Sequence, residues 1–211
     1  MTTQARTQFL EAGMRLYPQH GYRGLSVRLL ATEAGLSPGM FHHLFDNKDA
    51  FVGELLRQKY GEGFEQLVLH IPAGAPVREK LRAALAFVAF FTRDNLPWVH
   101  RIFADSNSGA QCVSAFIKNH GSRHVAVLMG LLAEGIENGE LPPAALSQYF
   151  GFIMGGVIEP MIVASHLQSA GLAPPVIAAE FPYLISNEAV IQRIDWVFCA
   201  LFGNQHPQEK P

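Results

Sequence analysis

The sequence predicts an all-α fold, a three-helix head followed by a larger helical body. Three observations predict it. Apolar residues recur at i, i+3, i+4 and i+7 along almost the whole chain, which is the period of one helix face. Alternating apolar and polar runs, the mark of half-buried strands, are scarce. Proline and glycine cluster between the periodic stretches, at 72–76, 139–143 and 171–175, with Pro182 beyond them. The 211 residues are 49% hydrophobic and 16% charged. Such a chain buries a large core, which excludes disorder for most of its length.

The elements follow in order. Phe9, Ala12, Gly13, Leu16 and Tyr17 share one face of a first helix, which Thr2 or Thr3 can cap and which Pro18 and Gly21 bring to an end. Ser26 is an N-cap for a second helix, in which Val27, Leu30, Ala31 and Ala34 fall at helical spacing before Gly35 stops it. Ser37 caps a third helix. Pro38 occupies its first position, where a missing N–H costs nothing, and Phe41, Leu44 and Phe45 form its apolar face. Asp46 or Asn47 caps a fourth helix that starts at Lys48. Longer helices then run over 76–94, 110–138, 143–170 and 187–203, with a short one after Pro97. This organisation gives a head over 1–48, a body over 49–205 and a frayed tail over 206–211.

Residues 26–45 carry the sharpest signal. Two short helices joined through Gly35 and Leu36 read as a helix-turn-helix, whose second helix enters the DNA major groove by its N-terminal residues. The outward positions of that helix are small or polar: Ser37, Pro38, Gly39, Met40, His42 and His43. Small residues let the backbone approach a groove. Histidines can hydrogen-bond base edges or phosphates, and a methionine can touch a thymine methyl. The charge distribution agrees in sign. Residues 1–60 carry seven Lys/Arg and five Asp/Glu, whereas the whole chain has a net charge of −2. A nucleic-acid face must therefore be local.

The first 60 residues resemble the DNA-binding head of the TetR family of transcriptional regulators. The matching run is Phe9-Leu10-Glu11-Ala12, Gly21-Tyr22, Ser26-Val27, Ala31, Ala34-Gly35-Leu36-Ser37, Gly39-Met40-Phe41, Phe45, Asn47-Lys48 and Phe51. The sequence departs from the family pattern at His42, where Tyr is usual, and at Leu44, where His is usual. The resemblance implies that Ser26 and Arg28 touch the DNA backbone. It implies that Ser37, Pro38, Gly39, Met40, His42 and His43 line the reading surface, and that Lys48 holds a phosphate. Helix N-termini at Ser26, Ser37 and Lys48 add N–H donors for phosphate oxygens. Beyond residue 60 the resemblance is architectural.

A single small head of weak positive charge binds DNA poorly, so a homodimer on a palindromic double-stranded operator is expected. The expected interface lies on the last two long helices. Gly151, Gly155 and Gly156 allow close approach there, and Ile153, Met154, Val157, Met161, Ile191, Ile194, Val197, Phe198 and Leu201 offer apolar area. The aromatic middle of the chain suggests a pocket for a small, hydrophobic effector, lined from Phe87, Phe91, Trp98, His100, Arg101 and Phe103. The family implication is that a ligand there moves the fourth helix and releases DNA, most simply as a repressor.

Other chemistry is thin. No cofactor, metal or catalytic set is expected. His120 and His124 lie four apart without a third ligand, and Cys112 and Cys199 form no CxxC pair. No stretch of about 20 uninterrupted apolar residues is found and the start lacks a signal-peptide core, so a cytoplasmic protein without a membrane span is expected. The alternative reading is a helical small-molecule-binding protein that does not read DNA sequence.

Overall fold

The computed structural model describes residues 2–203, so the expected frayed tail at 206–211 lies outside the described residues. The elements are α1 Thr2–Gly24, α2 Val27–Ala34, α3 Pro38–Leu44, α4 Lys48–His70, α5 Val77–Asp94, α6 Leu96–Asn107, α7 Gln111–Asn119, α8 Arg123–Glu137, α9 Leu146–Ile153, a π-helical turn Met154–Ile158, α10 Glu159–Ser169, α11 Pro175–Leu184 and α12 Asn187–Phe202. No strand occurs among the described residues.

Three expectations are corrected. Thr2 and Thr3 lie within α1 rather than ahead of it. The predicted helix over 110–138 is two helices. It breaks at Gly121, where a Cβ would lie 2.9 Å from the Ile117 carbonyl oxygen. The stretch 175–184 is helical although Pro182 lies inside it. A proline costs little near a helix end or in a short exposed helix, and α11 buries no residue.

The chain forms two compact units, and they do not follow sequence order. The first takes in residues up to Phe64 together with Pro97–Ser122. The second takes in Glu65–Leu96 and the chain from Arg123 onward. The boundary expected at 48/49 therefore falls inside the first unit, one residue into α4.

The core of the first unit is aromatic. Phe41 of α3 meets Phe9 of α1 edge-on with ring centroids 5.4 Å apart, and meets Phe51 of α4 at 5.3 Å. Phe45 closes the cluster at 4.9 Å from Phe51. Each such aromatic pair contributes about 0.5–1.5 kcal/mol beyond its buried area. The same core takes in Trp98, Ala110, Val113 and Phe116 from α6 and α7. The segment 97–122 therefore finishes the head's own core.

In the second unit, Leu81, Ala84, Leu85, Val88 and Ala89 of α5 are buried, as are Leu128, Leu131 and Leu132 of α8 and Val190, Ile194, Val197 and Phe198 of α12. Lys80 bonds Glu134 at 2.8 Å between α5 and α8. Glu140 caps α5, accepting from the N–H groups of Val77 and Arg78 at 3.4 and 3.3 Å. Leu146–Ser169 is continuous over 24 residues with a mean hydropathy of 1.5 in its most apolar window. By length and composition alone that helix is long and apolar enough to cross a membrane, which the sequence reading did not expect. Within this fold it buries Ile153, Val157, Ile158, Met161 and Ala164.

Candidate nucleic-acid interface

The local sequence builds the helix-turn-helix step by step. The Ser26 hydroxyl oxygen accepts from the Leu29 N–H at 3.1 Å and starts α2. Gly35 ends it at φ +68°, a left-handed conformation that glycine adopts without steric cost. The Leu36 N–H then bonds the Ala31 carbonyl at 2.9 Å, and Leu36 packs on the head core. Pro38 opens α3 as its first residue. Ser37 has the extended backbone of a cap, but its side chain makes no cap hydrogen bond. Asn47, not Asp46, caps α4: its Oδ1 accepts from the Ala50 N–H at 2.8 Å.

This geometry sorts α3 into two faces. Phe41 is fully buried. Ser37, Pro38, Gly39, Met40, His42 and His43 are all exposed. The His42 ring contacts the Phe41 ring edge-on at 5.7 Å, which limits its freedom without covering it. Leu44, where the family pattern has His, is half-buried and packs on the head core. Arg6 fixes the end of α3: it donates to the Leu44 carbonyl at 2.5 Å, pairs with Glu54 and lies over the Phe45 ring at 4.5 Å. Ser26, at the N-cap of α2, and Arg28, in its first turn, are also exposed. The Ser26 O–H remains a donor after its oxygen caps α2.

Lys48 is neither a freely solvated lysine nor a simple outward arm. Its ammonium donates to the Tyr22 carbonyl at 2.9 Å and sits 4.2 Å from the centroid of the Tyr22 ring. The Tyr22 hydroxyl donates to the Asp49 carboxylate. That bond, then burial, pushes the phenol pKa up to about 12. Nothing in the sequence pattern marks this link, which joins the α1–α2 corner to the start of α4.

The residues expected to form one effector pocket divide between the two units. Phe87 and Phe91 line a groove of about 480 Å3 with His70, Ala83, Ala86, Phe90, Asp94 and Asn95. The two phenylalanine rings stack at 6.0 Å, and the His70 ring lies 5.0 Å from Phe87. Arg93 lies over Phe90 at 4.8 Å and pairs with Asp94 at 2.7 Å. Trp98 is not in this groove. It is a core residue of the first unit, stacked on Tyr17 at 5.1 Å. Arg101 donates to the carbonyls of Pro18 and Gln19 at 3.4 and 3.2 Å, near the end of α1. Phe103 is 54% exposed, and His100 is half-buried beside it on α6. The i, i+3, i+4 spacing of Phe87, Phe90 and Phe91 was the available signal for the groove. His70, seventeen residues before Phe87, had none.

The expected interface residues differ in how far the chain itself buries them. Ile153, Val157, Met161, Ile194, Val197 and Phe198 are each at most 4% exposed and fill the chain's own core. Met154 and Leu201 are half-buried, and Ile191 is exposed. Gly156 does permit close approach, to Val197 of the same chain, whereas Gly151 and Gly155 are open. The outward apolar residues on these helices are Phe152, Val163, Ile191 and Trp196, each 44–62% exposed.

His120 and His124 do not share one helix: the first caps the end of α7 and the second lies in the first turn of α8. Among the described residues, no group of three or more His, Cys, Asp or Glu is placed to hold a metal ion. Cys112 is half-buried and Cys199 exposed, and neither is in a disulfide. Burial, then the Asp49 charge, pushes the Cys112 thiol up to about 11.

Residues 9–55 match the family model for the bacterial regulatory proteins of the tetR family. The chain is 27% identical over 138 residues to the fatty acid metabolism regulator protein of Bacillus subtilis, covering 64% of this chain and 69% of that one. It is 32% identical over 78 residues to the HTH-type transcriptional repressor KstR2 of Rhodococcus jostii, covering 37% of this chain and 38% of that one. Two solved structures share the fold. One is a TetR family transcription regulator from Marinobacter aquaeolei, with a TM-score of 0.65, 17% identity and coverage of 94% and 96%. The other is the transcriptional regulator FadR of Bacillus subtilis in complex with stearoyl-CoA, with a TM-score of 0.62, 18% identity and coverage of 92% and 98%.

Proposed function

We propose that this chain, which belongs to the TetR family of bacterial transcriptional regulators, is a one-component repressor that binds a palindromic operator as a homodimer and is released by a small hydrophobic effector. One observation carries the DNA-reading part. All six expected reading residues, Ser37 just ahead of α3 and five within it, are exposed around a fully buried Phe41. A helix held so firmly on one side and bare on the other suits insertion into a major groove. Ser26, Arg28 and Lys48 flank it as phosphate contacts, which set register rather than sequence.

Two heads at a fixed spacing supply the affinity that one lacks. The outward apolar residues of α9, α10 and α12 support a second copy as their cover. Phe152, Val163, Ile191 and Trp196 are large apolar side chains left 44–62% exposed, surface that a second copy would take out of water.

The groove beside Phe87, Phe90 and Phe91 falls within the size range of small-molecule sites. Three phenylalanines and two alanines give it an apolar floor. The Bacillus relative is named for fatty acid metabolism, and the FadR structure holds stearoyl-CoA. These names and the groove's lining support a long acyl chain as the effector class. Release of DNA then requires that the effector bind the DNA-free state more tightly than the DNA-bound state.

The test is selection of bound sequences from random duplex DNA by the full-length protein, at about 150 mM salt so that non-specific phosphate attraction is screened. An enriched palindrome is expected, and a long-chain acyl-CoA should then displace the protein from it. A folded protein that enriches no sequence points instead to a helical binding protein that does not read DNA.

A further inference from the structure

The α1–α2 corner, Gly21–Arg23, where α1 kinks at Gly21 before its last residues, is held from two sides within the first unit. From α6, the Asp105 carboxylate accepts the Tyr22 N–H at 2.7 Å. Asp105 is 5% exposed and is the one charged residue buried to that degree among the described residues. Gly21, at φ +63°, lies so close to α6 that a Cβ there would be 2.6 Å from Arg101 Cδ and 2.9 Å from Asp105 Oδ1. Arg23 donates to the Ser108 carbonyl at 2.9 Å. From α4, Lys48 donates to the Tyr22 carbonyl and rests on its ring. One residue thus carries Asp105 on its N–H and Lys48 on its C=O and ring.

A buried carboxylate facing a backbone N–H is costly to maintain as mere filler, because its charge is stripped of water. A positioning task accounts for it. An ammonium has three donor hydrogens. In Lys48 one is spent on Tyr22 and the ring covers a second side, so the remaining donor has a fixed direction.

We propose that Asp105 and Tyr22 are positioning residues for DNA binding: through the Tyr22 backbone and ring they aim the Lys48 ammonium at an operator phosphate. The strength of that phosphate contact is then set by α6, a helix 83 residues distant in sequence from the corner it grips. This rests on the reading of Lys48 as a phosphate contact given above.

The test measures operator affinity of the full-length protein against salt. Lys48→Ala removes one phosphate contact from each protomer of the dimer and should lower the salt slope by about 1.8, which is about a thirty-fold loss at 150 mM. Asp105→Ala should lower the slope by a similar amount. The double variant should bind no more weakly than either single one, since both remove the same contact. Asp105→Asn keeps an oxygen for the Tyr22 N–H and should recover most of the lost slope. A packing role alone would lower the melting temperature without moving the slope. An unchanged slope in Asp105→Ala, or losses that multiply in the double variant, overturns the proposal.

If Asp105→Ala does not fold, Tyr22→Phe and Tyr22→Leu decide. The first keeps the ring under Lys48 and the wild-type slope, and the second lowers it. Equal slopes in the two overturn the proposal. A wild type that selects no DNA sequence overturns the function reading itself, whereas one that selects an operator and shows unmoved slopes overturns the positioning role alone.

Discussion

Gly156 and Val197 approach so closely that a Cβ on the glycine would lie 2.9 Å from the valine Cγ2. The glycine lies in the π-helical turn and the valine on α12. Valine is stiff at χ1 and cannot swing aside within a packed core. Gly156→Ala should therefore destabilise the protein. Overpacking of about 1–3 kcal/mol is opposed by about 1 kcal/mol of improved helix propensity, for a net loss of about 1 kcal/mol. Thermal unfolding of Gly156→Ala and of Gly156→Ala/Val197→Ala checks it. The second change should cost less on top of the first than it costs alone, and strict additivity would refute the contact as the cause.

Neighbouring residues on α12 should answer differently to one substitution. Trp196 is 62% exposed and Val197 is 4% exposed. Trp196→Glu should keep its helical circular dichroism and run as a monomer in light scattering. Val197→Glu should unfold, because it buries an unpaired charge at a cost of several kcal/mol. A dimeric Trp196→Glu protein would move the interface off this face.

On operator DNA, His43→Ala should relax base preference at one position by about 1–3 kcal/mol. Lys48→Ala should weaken binding to every sequence alike. Binding to the selected operator and to scrambled duplex, measured side by side, separates the two. Equal losses on both duplexes for His43→Ala would remove it from the reading surface.

Gly21→Ala places a side chain at φ +63° and against Arg101. At ψ −177° this is a region essentially reserved for glycine, where the backbone strain alone is about 1–3 kcal/mol, and the displaced Arg101 adds to it. The expected result is a lower midpoint in urea, corresponding to a loss of about 2–4 kcal/mol of unfolding free energy in total. An unaltered midpoint would mean that the corner is looser than its contacts indicate.

Cys112 should be a slow thiol. With a pKa of about 11, its thiolate fraction at pH 8 is about one in a thousand. In Cys199→Ser protein, reaction with a chromogenic disulfide should be slow at pH 8 and should quicken as pH rises toward 11 or when the chain is unfolded. A native rate at pH 8 equal to the unfolded rate would contradict the burial that raises it.

The local grammar of the head is legible in the sequence because each signal acts within a few residues. Ser26 caps three residues ahead, Gly35 ends α2 at a left-handed turn, and Pro38 starts α3. The two faces of α3 follow from the same short-range logic. Long-range contacts leave no such trace. Nothing in the spacing of Tyr22 and Asp105 joins them, since chain direction and packing decide which distant residues meet.

Helices that are apolar nearly all round hide their inward face for a related reason. The pattern marks α9, α10 and α12 as packed, yet it does not say whether Trp196 or Val197 turns inward. The residues expected to line one pocket fall in two units for a topological reason. Phe91 and Trp98 are near in sequence, but the chain between them passes from the second unit to the first.

That passage has a practical consequence for transplanting the head onto a different body. A graft cut after residue 48, or even after Phe64, would leave behind Trp98, Arg101, Asp105, Val113 and Phe116. Tyr17 would lose its stacking partner, the end of α1 would lose its guanidinium, and the Tyr22 N–H would lose its carboxylate. The portable module is discontinuous. An exchange must carry 97–122 along with the N-terminal segment, or redesign the surface those 26 residues cover.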